Sequence, residues 1–399
     1  MALWDEKLSK SLIHELLFIS LLFAVNSVAG LFIFGVWALS KERKFNTYVL
    51  WGVFFALFVS LYNATKIPAN DLKMYLNYFH LAGGMPLIKY INILGGKDSL
   101  YLAYGWFWHL IIKNYDPLFT FIMSLTSYLF FLKGLLVACK SLNLDRVSIF
   151  ACFSVLFFFP FSFSVSAHIL RQTIAFSIMS YVVIEKVFNK KNYWYLGLVA
   201  TLFHSSVFFF MPFLFFNFLY RPLSKKNIVG VAAIIFAIVG VKNLAKIVSS
   251  LHLGITAFNF ALDRAANGTY FEATLSSFQL AISVILVLML FVMIYLIKPI
   301  LRSNASYVFF SNITLLLLLF IVINPDQGEL QVRFNIFMWQ LTPIFVALYL
   351  GASNVSKIIK LCFSLLIFIA WFIYNAHFSP WEYSCSKLFW FYPAFYYLL

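Results

Sequence analysis

Charge is what this chain has least of. Only 11% of its 399 residues are Asp, Glu, Lys or Arg, and the acids number 14, whereas a soluble domain carries about a quarter charged residues. Glycine (16) and proline (11) are also sparse, which excludes collagen-like and disordered classes. The four cysteines, Cys139, Cys152, Cys362 and Cys385, lie in or beside apolar segments without CxxC spacing. That argues against a disulfide scaffold, a zinc site or a redox pair. No Walker motif, glycine-rich phosphate loop or HExxH occurs, so ATP-driven transport and zinc proteolysis are disfavoured.

What is abundant is apolar surface. The chain is 63% hydrophobic with 50 Phe, 22 Tyr and 10 Trp, and its mean hydropathy is +0.90. No soluble fold covers that much apolar area, so the sequence predicts an all-α polytopic membrane protein, a single integral membrane domain over 1–399. Crossing a bilayer takes about 20 apolar residues. On that criterion ten spans are expected, at 12–39, 45–63, 117–138, 148–166, 169–188, 227–241, 276–297, 307–323, 334–350 and 358–376. Asp5 and Glu6 precede the first apolar run, which reads as a retained helix rather than a cleaved signal.

A net charge of +15 would suggest nucleic acid in a soluble protein; here it is read through the positive-inside rule, and no nucleic-acid partner is expected. Residues 193–219 are apolar but lie between Lys190/Lys191 and Arg221/Lys225/Lys226, and both clusters want the cytoplasmic face. One span cannot satisfy both, whereas a re-entrant helical hairpin turning near His204, Ser205 and Ser206 can. With the N-terminus outside, this topology leaves the cytoplasmic side at +12 and the outer side at +2, with Lys133 in the membrane. It also makes 64–116 and 242–275 periplasmic loops, with 99–113 lying along the interface.

Ionisable groups at the membrane are expensive and therefore functional candidates. His168 and Arg171 share one face of a helical turn. Arg171 opens a membrane helix, where the dipole offers a cation nothing, so it needs a compensating anion such as a pyrophosphate or, more plainly, a lipid phosphate reached by snorkelling. His204, alone in an apolar stretch, reads either as a hydrogen-bonded structural residue or as an imidazole facing a polar cavity beside Ser205 and Ser206. Arg333 follows Asp326 and Glu329. Glu329 and Arg333, four apart, suit a local ion pair that would also pre-orient the arginine for an anion. Arg264, after Asp263, reads as a solvated loop charge. Asp71 precedes Tyr75, Tyr78 and Phe79, an aromatic face suited to sugar rings or to the interface itself. No histidine shows paired metal-ligand spacing, and no metal or other cofactor is expected.

Four segments, PANDLKMY (68–75), HILRQTIAFSI (168–178), LVATLFHSSV (198–207) and QVRF (331–334), resemble the EpsG and Wzy type of bacterial O-antigen or exopolysaccharide polymerases. In that family an acidic residue followed by a tyrosine opens the first external loop. An Arg-Gln pair then opens a middle helix, and a Phe-His-Ser motif interrupts the next apolar segment. The resemblance implies a GT-C-like glycosyltransferase of the bacterial inner membrane with its active site facing the periplasm. It would move a growing glycan from undecaprenyl pyrophosphate to an incoming lipid-linked repeat unit. Its partners would be that lipid-linked oligosaccharide, the bilayer and a chain-length regulator protein. Carried onto this chain, it makes Arg171, Arg333 and Arg264 the pyrophosphate ligands, and His168, His204 and Asp71 the groups serving the acceptor hydroxyl. Gln172, Ser205, Glu329 and Tyr75 would support them. The rival readings are an O-antigen ligase, a lipid-linked oligosaccharide flippase and, more remotely, a membrane acyltransferase.

Overall fold

The computed structural model describes residues 10–40, 45–96, 98–166, 168–222, 284–285, 288–293, 295–296, 304–323, 328–379, 381–384 and 393–398. Among them the architecture is helical, and the extended pairing is a single antiparallel bridge between Lys66 and Tyr383. The chain is an all-α membrane protein. Among the described residues, four helical stretches are long and apolar enough to cross a bilayer: Phe45–Ala64, Asp116–Ser141, Asn335–Ala352 and Lys357–Phe378.

The long first run expected at 12–39 is two helices, α1 (Lys10–Val25) and α2 (Ser27–Ser40). Asn26 makes the break. Its N–H still closes α1 on Leu22, while its side-chain oxygen accepts the Ala29 N–H in the manner of an N-cap. The bend is sharp enough that a Cβ on Gly30 would come within 2.5 Å of the Phe23 Cα, so only glycine fits there. Next come α3 (Phe45–Ala64), three short helices α4 (Asn70–Leu81), α5 (Leu87–Ile93) and α6 (Ser99–Ile112), and the 26-residue α7 (Asp116–Ser141). The region 64–116 is thus mostly helical.

The run at 148–166 is divided as well, into α8 (Arg146–Phe158) and α9 (Pro160–Ser166). Pro160 cannot donate the backbone hydrogen bond that would carry the helix through Phe159. After α10 (Leu170–Asn189) and α11 (Trp194–Phe203) the chain turns at His204 into 3-10 structure over Ser205–Leu214 and Asn217–Tyr220. That segment folds back along α11: a methyl on Gly197 would meet the Met211 sulfur at 2.5 Å. Among the described residues the remaining long helices are α12 (Ala305–Ile323), α13 (Gly328–Ala352) and α14 (Lys357–Ile373). The expected span at 227–241 and the loop at 242–275 lie outside the described residues, and 276–297 is described only in part.

Aromatic side chains fill the centre. Trp51 of α3 stacks on Phe150 of α8 with centroids 5.0 Å apart, and Phe55 stacks on Phe157 at 5.5 Å. Trp371 of α14 meets Tyr62, Phe158 and Phe163 edge-on. Pro343 within α13 frees the Trp339 carbonyl four residues earlier, and Ser162 of α9 donates to it at 3.1 Å.

Asp145 pins the opposite end of α8. One oxygen caps the helix by accepting the Ser148 N–H at 2.8 Å, and the other accepts from the buried Lys360 ammonium at 2.7 Å. Burial pushes the Asp145 carboxyl up, but Lys360 and Ser148 outweigh it and hold the group below its usual range. Asp145→Ala should therefore lower the melting temperature, through the lost cap of about 1 kcal/mol and a stranded Lys360. Lys360→Met, which removes the buried charge itself, should be close to neutral. Thermal unfolding in detergent checks the order, and equal losses for both variants would contradict it.

Candidate functional site

The site is built on the start of α10. Arg171 lies in that helix's first turn, where no side chain caps the helix, and two other segments meet its guanidinium. Its Nη1 donates to Asp98 Oδ2 at 2.6 Å, its Nε donates to the Tyr75 hydroxyl at 3.2 Å, and its plane lies 5.4 Å from the Tyr75 ring centre. The compensating anion that Arg171 needs is thus a carboxylate of the protein itself. Asp98 has a side chain only 1% exposed and a left-handed backbone (φ +53°) after the Gly95-Gly96 turn, a conformation Asp tolerates better than most residues. Its other oxygen accepts the Ser205 N–H at 3.3 Å. One carboxylate therefore ties the α10 entry to the turn after α11.

That turn is shaped by His204. Its extended backbone (φ −158°, ψ 122°) ends α11, and its Nδ1 accepts the Ser206 N–H at 3.2 Å and pairs with the Ser206 hydroxyl at 2.8 Å. With Nδ1 engaged as an acceptor from a backbone N–H, the neutral ring carries its proton on Nε2. The imidazole is buried and works as an N-cap.

A second cluster adjoins the first. Lys66, just past α3, places its Nζ 4.1 Å from the centre of the Trp381 ring, and His168 stacks on the same indole at 3.8 Å, inclined by 21°. Trp381 is held there by a short strap: Ile67 N–H donates to Glu382 O at 2.9 Å, and Ser384 N–H donates to Thr65 O at 2.8 Å. Burial lowers the Lys66 ammonium to about 7, with Asp71 acting in the other direction. Burial, and then Lys66, lowers His168 to about 4, so its ring is neutral at physiological pH. Burial pushes the Tyr75 phenol up to about 12 against the pull of Arg171.

The structure brings Asp71, Tyr75, His168, Arg171, His204 and Ser205 to one end of the helices. Asp71, in the first turn of α4, acts electrostatically on both Lys66 and Tyr75. Gln172 is buried, and its Nε2 has no hydrogen-bond partner among the described residues. Arg264 and Asp326 lie outside the described residues. Glu329 and Arg333 are in the first turns of α13, where only the backbone is described. Sequence reasoning missed Asp98, Lys66 and Trp381. The Gly95-Gly96 turn beside Asp98 was a local signal; Lys66 at a span exit and Trp381 near the interface both pass for ordinary anchors.

An aspartate-held arginine thus opens α10, and a histidine-serine break follows α11. A family model, described as the EpsG family, covers residues 48–390. The chain belongs to the EpsG family. Membership points to a polysaccharide-polymerase type of function, glycosyltransferase-like in its chemistry. No curated protein and no solved structure matches this EpsG-family chain.

Proposed function

We propose that this EpsG-family protein is a polymerase that transfers a growing glycan from a polyprenyl-pyrophosphate donor to a hydroxyl of an incoming lipid-linked repeat unit. The observation that carries the reading is the Arg171–Tyr75–Asp98 knot beside the His204 turn. In this scheme the acceptor oxygen attacks the anomeric carbon, and the bond from that carbon to the diphosphate oxygen breaks. The departing diphosphate takes the electron pair. Arg171, aligned by Asp98 and Tyr75, donates to that developing charge, with Arg333 and Arg264 as further cations. The hydroxyl proton passes to a nearby base. Asp71, in the first turn of α4, would take that role. His204, protonated on Nε2, would donate to the substrate while capping its turn. Gln172, Ser205, Glu329 and Tyr75 support these groups.

The reading places the protein in the bacterial inner membrane with ten spans, a GT-C-like arrangement, and 193–219 as a re-entrant hairpin. The charge partition and the fold-back after His204 support it. Purified protein given a lipid-linked repeat unit and no nucleotide should produce a ladder of polymer. Arg171→Lys, which keeps charge but loses the two-point contact to Asp98 and Tyr75, should reduce ladder yield by roughly tenfold to a hundredfold. Absence of any ladder from the wild-type protein, or full activity of Arg171→Lys, would overturn the reading.

A further inference from the structure

Lys66 is the anomaly of this molecule. It is 4% exposed, and its Nζ has no hydrogen-bond partner among the described residues, although an unpaired buried ammonium is costly. The Trp381 face offers it a cation–π contact at 4.1 Å, a small return against that cost. Asp71 acts on it electrostatically but does not hydrogen-bond to it. Next to it, on the same indole, His168 presents a buried Nδ1 that also has no partner among the described residues. Arg171 differs: its guanidinium is already met by the Asp98 carboxylate and the Tyr75 hydroxyl. Lys66, by contrast, is a buried cation with no counter-anion in contact among the described residues.

We propose that Lys66 and His168, set on the Trp381 indole, form a receptor for a phosphate or diphosphate anion, separate from the Arg171 centre. Three N–H donors on Nζ and one on the imidazole suit the several oxygens of a phosphate. Residues 381–384 cover the place, tied to Thr65 and Ile67 by hydrogen bonds and to Tyr62 by the Tyr383 ring. The inference deepens the polymerase reading and rests on it for one point: transfer between two lipid-linked substrates involves two diphosphates, and Lys66 would hold the one that does not leave.

Titration of the full-length protein in nanodiscs tests this, with calorimetry and tryptophan fluorescence as readouts. Inorganic pyrophosphate and farnesyl diphosphate are the two probes. The wild type should bind, Lys66→Met should bind roughly tenfold or more weakly, and Lys66→Arg should stay within a few-fold of the wild type. Trp381→Phe should lose most of the fluorescence change. Lys66→Met should melt no lower than the wild type, because it removes an uncompensated buried charge, so weaker binding would not reflect unfolding. Preference for farnesyl diphosphate identifies a lipid headgroup, and equal binding of both probes identifies the free anion. Wild-type-like binding by Lys66→Met, or binding lost in Arg171→Lys but kept in Lys66→Met, overturns the proposal. A polymerase reading that is wrong would show in the ladder assay and would leave this binding untouched.

Discussion

Asp98→Ala is expected to destabilise the protein by about 3–5 kcal/mol and to abolish polymer formation. The carboxylate is nearly inaccessible and serves two masters, the Arg171 guanidinium and the Ser205 N–H. Its removal leaves a largely buried cation unpaired and an amide unbonded. Asp98→Asn separates the two duties. The amide oxygen still accepts from Ser205, so the turn persists and the melting temperature falls less. The charge that aligns Arg171 is gone, and turnover should drop by about a hundredfold. Replacing both partners, Asp98→Leu with Arg171→Met, should recover much of the stability and none of the activity. Long polymer from Asp98→Asn at the wild-type rate would show that Arg171 needs no alignment.

His204→Asn is expected to fold normally and to make little or no polymer. Asparagine is among the best N-cap residues, so its side-chain oxygen replaces Nδ1 as the acceptor for the Ser206 N–H. What asparagine cannot supply is the imidazole Nε2–H directed beyond the cap. His204→Leu removes both functions and should lose about 1 kcal/mol as well as activity. The comparison is a melting curve and a ladder gel for each variant. Near-normal polymer from the Asn protein would reduce His204 to a cap.

The parts of this architecture written locally in the sequence are the long helices. The apolar runs behind α3, α7 and α10 stand at their expected positions within a few residues. Two runs broke where the local chemistry was present but read as background: Asn26 as a cap inside a hydrophobic stretch, and Pro160 after Phe159. The site was legible only in half. Arg171 and His204 announced themselves because a charge or an imidazole in an apolar segment is costly. Asp98 is paired with Arg171 across 73 positions, and nothing near either residue encodes that distance. Lys66 was hidden for a similar reason, since the residues that cover it, Trp381 and Tyr383, return from more than 300 positions away.

That return also imposes an order on biogenesis. Thr65 and Ser384 are 319 residues apart, which a ribosome adding about 5–20 residues per second needs roughly 15–65 s to synthesise. Throughout that interval the nascent chain has its α3 exit but no Trp381 to lay over it. Insertion of the intervening helices precedes closure of this pocket. A chain truncated before residue 381 would carry the Arg171 knot with Lys66 open to its surroundings.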